Sequence, residues 1–213
     1  MRIRIVFSKT ANLRYTSILD VQKIWERTVR RAGFYLQYSQ GFHPQAKIQA
    51  ANPLPLGYDG LEELVDLWLT GGPAPDLIVQ QLSEALPDGI SIKRIEIVPE
   101  NAPSLPKQVD FSDYCIRLHD SEQDFAGILE KIKSLLARET LPRTRNGKDY
   151  DLRPLILALT AERISGDSIE IHLRMPSNPG KTGRPEEVMF ELGFEWQDFQ
   201  IVRRRLILGE PEP

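Results

Sequence analysis

The chain opens with Met1-Arg2-Ile3-Arg4-Ile5-Val6-Phe7, in which apolar and charged residues alternate. A period of two residues is typical of a β-strand that buries one face. The pattern predicts that the isoleucines and the phenylalanine face the core, whereas Arg2 and Arg4 lie on the opposite, more open face. An alternating strand is also unlike the continuous apolar segment of a signal peptide.

The following segments extend this strand to a β-α-β-β-α-β order within residues 1–98. Ser17 and Asp20 form a candidate capping box at the start of a helix, and Gly33 is a suitable residue to end it. The periodicity of the later segments predicts strands at 45–52, 61–69 and 90–98 and a helix at 75–86. This order is that of a split βαβ, or ferredoxin-like, unit.

The second half of the chain repeats that order after a proline-rich stretch. Strands are predicted at 111–119, 155–163, 168–174 and 199–208, with helices at 122–138 and from about 184. We therefore predict an α+β protein made of two tandem ferredoxin-like (βαββαβ) domains with antiparallel sheets. The predicted domains are residues 1–98 and 110–213, joined by a linker at 99–109.

Charge is distributed unevenly along the 213 residues, although the net charge is only −3. Residues 1–58 contain nine Lys or Arg against two acidic residues, a net charge of +7, whereas residues 59–100 contain nine acidic residues against two basic ones. One interpretation is a basic surface that attracts an anion or a nucleic acid. The other is that the acidic segment packs beside the basic one and offsets it.

Several classes of protein are excluded by the sequence. The single cysteine, Cys115, rules out a disulfide framework or an iron–sulfur cluster and is best explained as a buried residue in a strand. No apolar segment is long enough for a membrane span, so we expect a cytoplasmic protein. The three histidines show no metal-ligand spacing, and no nucleotide-binding motif occurs, so we predict neither a metal site nor a cofactor.

The loop Tyr38-Ser39-Gln40-Gly41-Phe42-His43-Pro44-Gln45-Ala46-Lys47 carries the greatest chemical variety. It follows a helix rich in arginine, and aromatic rings beside cations suit the bases and phosphates of RNA. Arg153 belongs to a second basic cluster, and Arg184 precedes a predicted helix start, where anions are favoured. The candidate binding residues are Arg27, Arg30, Arg31, Tyr38, Gln40, Phe42, His43, Lys47, Arg153 and Arg184.

His43 is the one candidate for a catalytic role, as a general acid or base whose ordinary pKa lies near neutrality. The alternative is a polar turn residue that precedes Pro44. His119 and His172 are predicted to occupy surface positions on strands.

Several motifs occur in a fixed order along the chain. They are Leu13-Arg14-Tyr15, Ser17-Ile18-Leu19-Asp20, Arg30-Arg31-Ala32-Gly33, the loop 38–44, Pro53-Leu54-Pro55-Leu56-Gly57, Asp151-Leu152-Arg153-Pro154 and Gly183-Arg184-Pro185. With these motifs the sequence resembles the DUF2344 family, also called radical-SAM-associated proteins, over essentially its whole length. The resemblance implies a radical SAM protein as partner, because family members are often encoded beside one or as its C-terminal part. It assigns no activity to the chain itself.

Two positions depart from the family pattern. Ile18 and Gln45 stand where family members commonly have histidine, which weakens a catalytic or metal-binding role for histidines in this region. The radical SAM motif Cys-x-x-x-Cys-x-x-Cys is also missing from this sequence.

Three hypotheses follow. The first is an accessory, non-catalytic module that handles a substrate, RNA included, together with a radical SAM enzyme. The second is an RNA-processing endonuclease like the RAMP proteins with tandem ferredoxin-like domains, in which His43, Lys47 and Tyr38 would act. The third is a protein-only scaffold that docks a partner through the acidic residues Glu62, Glu63 and Asp66.

Overall fold

A computed structural model describes residues 1–71, 74–119, 124–164, 168–178 and 181–209. Two compact units are present: residues 1–109 together with Gly209, and residues 110–208. Both combine helices with a mostly antiparallel sheet, so the chain belongs to the α+β class, as the sequence predicts. Within the described part of the chain, no helix is long and apolar enough to cross a membrane.

The first unit contains a four-stranded antiparallel sheet with strand order β4-β1-β3-β2. Its elements are β1 (Arg2–Lys9), α1 (Ile18–Arg31), β2 (Ile48–Ala50), β3 (Asp59–Trp68), α2 (Pro75–Ala85), β4 (Ile90–Val98) and α3 (Leu105–Gln108). The strand β1 lies between β3 and β4 and is buried along its whole length. It is therefore the central element of this unit.

The helix α1 begins and ends as the sequence predicts. The backbone N–H of Asp20 donates a hydrogen bond to Ser17 Oγ at 3.2 Å, which caps the first turn. Gly33, just beyond the helix, has φ of +78°, a conformation that glycine adopts without strain. On the buried side of α1, the Trp25 ring packs edge-on against the Phe7 ring of β1, with 5.1 Å between the ring centroids. This contact joins the helix to β1.

The two arginines of β1 contradict the prediction of an open face. Arg2 and Arg4 are only 2% and 6% exposed, and Asp66 on β3 is completely buried. Arg2 Nη2 donates to Asp66 Oδ2 at 2.7 Å, and Arg4 Nε donates to Oδ1 at 2.9 Å. The expectation failed because a single carboxylate across the ladder forms ion pairs with both guanidinium groups inside the fold, which an alternating pattern does not reveal.

The segment predicted to be a linker, 99–109, lies within the first compact unit. Arg2 donates to the carbonyl oxygens of Ala102 and Pro103 at 2.7 and 2.9 Å. Leu105 is completely buried, and its N–H donates to Gln49 Oε1 on β2 at 2.8 Å. Side chains of the sheet therefore bind the backbone of this segment.

The second unit also contains helices and antiparallel strand pairs. Its elements are β5 (Val109–Leu118), α4 (Phe125–Leu136), β6 (Pro142–Arg145), β7 (Lys148–Asp151), β8 (Ala158–Arg163), β9 (Ile169–Asn178), β10 (Lys181–Thr182), α5 (Pro185–Glu191) and β11 (Phe199–Leu208). The strand order is β11-β5-β9-β8, with β10 paired to the end of β9. The basic loop near 141–148 is a hairpin of β6 and β7.

The buried carboxylate gives a prediction about stability. Replacing Asp66→Ala leaves two guanidinium groups buried without their counter-charge, so the free energy of unfolding should fall by about 3–5 kcal/mol. Asp88→Ala is the matched control, because this side chain is exposed and its loss should cost less than about 0.5 kcal/mol. Urea unfolding of both variants measures the difference. Equal midpoints for the two variants would show that the buried triad does not stabilise the fold.

Candidate functional site

The segment 37–47, here called the aromatic loop, is a narrow loop whose two sides are joined by backbone hydrogen bonds. Ser39 N–H donates to Gln45 O at 2.8 Å, and Lys47 N–H donates to Gln37 O at the same distance. Gln37 N–H also donates to the carbonyl oxygen of Trp68, at the end of β3, at 2.7 Å. The base of the loop is thereby fixed to the sheet, while residues 40–44 form its tip.

The tip of the aromatic loop exposes Phe42 completely, with a relative exposure of 102%. Gly41 beside it has φ of +128°, a backbone conformation open to glycine and strained for other residues. Tyr35 and Tyr38 near the base are 75% and 47% exposed. Large aromatic rings exposed to water are typical of surfaces that bind a ligand or partner.

The outer face of α1 presents unpaired positive charge. Arg27, Arg30 and Arg31 are exposed and, three and four residues apart, share the face opposite the buried Trp25. Within the described residues, none of these three guanidinium groups forms an ion pair or hydrogen bond. Their charges are therefore available to an anionic ligand.

The loop and the helix meet at Tyr38. The Tyr38 hydroxyl lies 3.5 Å from Oε1 of Glu26 on α1. Glu26 precedes Arg30 by one helical turn. Lys47 reaches Gln37 Oε1 at 3.5 Å and remains exposed. The aromatic loop and the arginine face therefore adjoin within the first unit. Eight of the ten predicted binding positions lie in this loop or on α1.

The other two predicted binding residues, Arg153 and Arg184, lie in the second unit. Arg153, in the second unit, donates to Leu136 O at 2.9 Å and to Ile156 O at 3.3 Å, so its guanidinium holds the end of α4. Arg184 is exposed just before α5, 3.5 Å from Glu186 Oε1. Neither residue belongs to the unit that carries the aromatic loop.

His43 lies exposed at the tip of the aromatic loop. Among the described residues, no hydrogen bond joins it to Tyr38 or to Lys47, which instead contact Glu26 and Gln37. The three residues of the endonuclease hypothesis are thus close in sequence without forming an acid–base pair.

Two of the three acidic residues that the scaffold hypothesis names on β3 are buried, whereas Glu62 is half-buried. Asp66 is fully buried between two arginines, and Glu63 is only 5% exposed. The scaffold hypothesis is wrong for these two residues, because the sequence pattern of β3 does not distinguish a solvated carboxylate from a buried one that pairs with a neighbouring strand.

A second group of reactive side chains lies on the sheet of the second unit. Cys115 on β5 and His172 on β9 are paired across the ladder, and Glu170 shares the face of His172 two residues earlier. One potential ligand atom from each lies within 4.8 Å of the others. This group was not predicted from the sequence, because only the spacing between histidines was considered there. The pattern Glu-x-His, which places both side chains on one face of a strand, is the sequence feature that indicates it.

Hydrogen bonds and burial set the proton states of this group. Burial, followed by the hydrogen bond to Glu170, raises the pKa of the Cys115 thiol to about 12. Burial opposes ionisation of Glu170, but the bonds from Cys115 and Arg117 lower its pKa overall. Cys115 is 3% exposed, as predicted for a buried strand residue, and it is a neutral donor at pH 7.

Comparisons with known proteins identify one family. Residues 2–185 match the family described as uncharacterized protein conserved in bacteria (DUF2344). A search of curated proteins finds no match.

Two solved structures match this chain. A chain from the crystal structure of a Cbf5-Nop10-Gar1 complex has a TM-score of 0.53 and 10% identity, over 96% of this chain and 48% of that one. A putative glycine cleavage system transcriptional repressor covers 95% of this chain and 98% of that one at 12% identity, with a TM-score of 0.25. At these identities the first likeness concerns the fold alone, and the second carries no weight.

The exposure of Phe42 leads to a prediction that separates fold from function. Phe42→Ala should change the free energy of unfolding by less than about 0.5 kcal/mol, because the ring touches no core residue. Phe7→Ala, the same substitution at a buried site, should cost about 3–5 kcal/mol. Urea unfolding tests both. A large loss of stability in Phe42→Ala would show that the ring packs into the fold and is unavailable to a ligand.

Proposed function

The chain belongs to the DUF2344 family of uncharacterised bacterial proteins, and we propose that it is an RNA-binding accessory module without catalytic activity of its own. The observation that carries this proposal is the junction of three unpaired arginines on α1 with the exposed rings of the aromatic loop. Guanidinium groups bind phosphates, and exposed aromatic rings stack on unpaired bases. The combination fits single-stranded RNA better than a simple anion.

The mode of binding follows from the geometry of the loop. Phe42 stands at the tip with both faces of its ring in water, so a base has room to stack on it. Tyr38 lies between this tip and α1, through its contact with Glu26. A strand that stacks on Phe42 or Tyr38 would bring its phosphates toward Arg27 and Arg30. Lys47 and Gln40 add polar contacts along the same path.

We also propose that each unit is a ferredoxin-like domain, as the order of elements in the sequence predicts. In the first unit the strands are ordered β4-β1-β3-β2, and in the second β11-β5-β9-β8. When the hairpin β6–β7 and the short β10 are left out, the four strands of each unit follow the order fourth, first, third, second. The matching orders, each with two helices in the connections, support the tandem arrangement.

The proposed partner is a radical SAM enzyme of the cytoplasm, on the basis of the family resemblance. The chain has one cysteine and so cannot itself provide the three thiolates of a radical SAM cluster. In this proposal the partner performs the chemistry, while the aromatic loop and α1 hold the substrate RNA.

Charge reversal on α1 tests RNA binding. The triple variant Arg27→Glu, Arg30→Glu, Arg31→Glu should weaken binding of a single-stranded RNA at least about tenfold at low salt. The slope of log affinity against log salt should become shallower by about 2, since each lost phosphate contact removes about 0.7. Fluorescence anisotropy at several salt concentrations measures both values.

The matched control reverses three exposed lysines elsewhere: Lys93→Glu, Lys107→Glu and Lys133→Glu. It changes the net charge equally, so it should retain most of the affinity if binding is local. Phe42→Ala should separately cost about 1–3 kcal/mol of binding through lost stacking. Equal losses in the two triple variants, with no effect of Phe42→Ala, would reduce the interaction to unspecific attraction and contradict the proposal.

A further inference from the structure

We propose that Cys115, Glu170 and His172 bind a divalent transition-metal ion of the zinc class, with Glu162 as a fourth ligand. This site lies on the sheet of the second unit and is independent of the RNA-binding proposal. The described residues contain this one group of three or more potential ligands in mutual reach.

The sheet itself positions the ligands. Cys115 and His172 face each other across β5 and β9, while Glu162 and Glu170 face each other across β8 and β9. Because side chains two residues apart share a face, all four project from the same side of three neighbouring strands. Rigid backbone pairing therefore gathers the ligands before any ion arrives, which lowers the cost of ordering them.

The distances are close to those of a tetrahedral site. The sulfur, nitrogen and oxygen atoms of the three central residues lie within 4.8 Å of one another. Ligands of tetrahedral zinc are separated by about 3.3–3.8 Å, given bonds of about 2.0–2.3 Å. Small side-chain rotations are enough to close the difference. Glu162 Oε1 is already 2.8 Å from His172 Nε2, so this exposed carboxylate can turn toward the ion.

The donor set selects the kind of ion. A thiolate, an imidazole and carboxylates together suit zinc and its neighbours, whereas magnesium and calcium prefer oxygen ligands alone. Arg117 Nε holds Glu170 Oε1 at 2.8 Å, while Oε2 lies toward His172 at 4.0 Å. One oxygen of Glu170 is thus fixed by the arginine, as ligating carboxylates commonly are, and the other points into the group.

Protons and charge also balance. In the metal-free state the Cys115 thiol donates to Glu170, and binding releases this proton to solvent as the sulfur bonds to the ion. The thiolate and two carboxylates then carry three negative charges, which the divalent ion offsets together with Arg117 and the nearby Arg204. The bound state is therefore close to neutral locally, which favours it at a half-buried position.

Cobalt(II) is a suitable probe because a thiolate ligand gives it an intense charge-transfer absorption. The purified full-length chain, stripped with a chelator, should bind one equivalent of cobalt with this absorption, and zinc should displace it. Since Cys115 is the only cysteine, the absorption reports on this site alone. Cys115→Ser should abolish the absorption.

His172→Gln and Glu170→Gln should lower cobalt affinity at least about tenfold, since even outer-shell changes have effects of this size. Glu162→Gln alters an exposed side chain that should not affect folding, and it should also weaken binding. His119→Gln is the control, because this histidine is exposed outside the group. Lack of saturable one-to-one binding, or binding unchanged in Glu162→Gln and His172→Gln with the circular dichroism spectrum retained, would overturn the proposal.

Discussion

The buried carboxylate of Asp66 is the constraint on which the first unit depends. It accepts four hydrogen bonds from Arg2 and Arg4, across the pairing of β1 with β3. The remaining donors of the two arginines reach Ala102, Pro103 and Gln108, so one ionic group fixes both the central strands and the segment beyond β4. Burying three charges is costly in desolvation, and the complete set of partners is what makes it tolerable.

The candidate site is distinguished by which arginines of the first unit form ion pairs and which do not. Some arginines of the first unit form ion pairs with carboxylates of β3. Arg14 Nη2 lies 3.1 Å from Asp59 Oδ2, and the two arginines of β1 share Asp66. The arginines of α1 have no such partner among the described residues. The interpretation that acidic residues offset the basic ones is confirmed for β1 and the first loop, where carboxylates of β3 pair with arginines. The interpretation that a basic surface attracts a nucleic acid stays a prediction for the outer face of α1.

Sequence patterns predicted the fold class and most elements because periodicity and capping are local properties. Ser17 and Gly33 mark the ends of α1 in the sequence and in the structure alike. The buried role of Arg2 was not predictable, since it depends on a carboxylate 64 residues away. The same limit applied to the sites: the aromatic loop was visible as one segment, whereas the group of Cys115 with Glu170 exists only through strand pairing.

The central claim is that RNA binds where the aromatic loop adjoins α1. Ultraviolet crosslinking of the full-length chain to a photoreactive single-stranded RNA, followed by mass spectrometry of the peptides, locates the contact directly. Crosslinks should concentrate in residues 27–47, with Phe42 and Tyr38 as the main sites, because rings that stack on bases lie within bonding distance. Crosslinks confined to the second unit, or spread evenly over the surface, would contradict the claim.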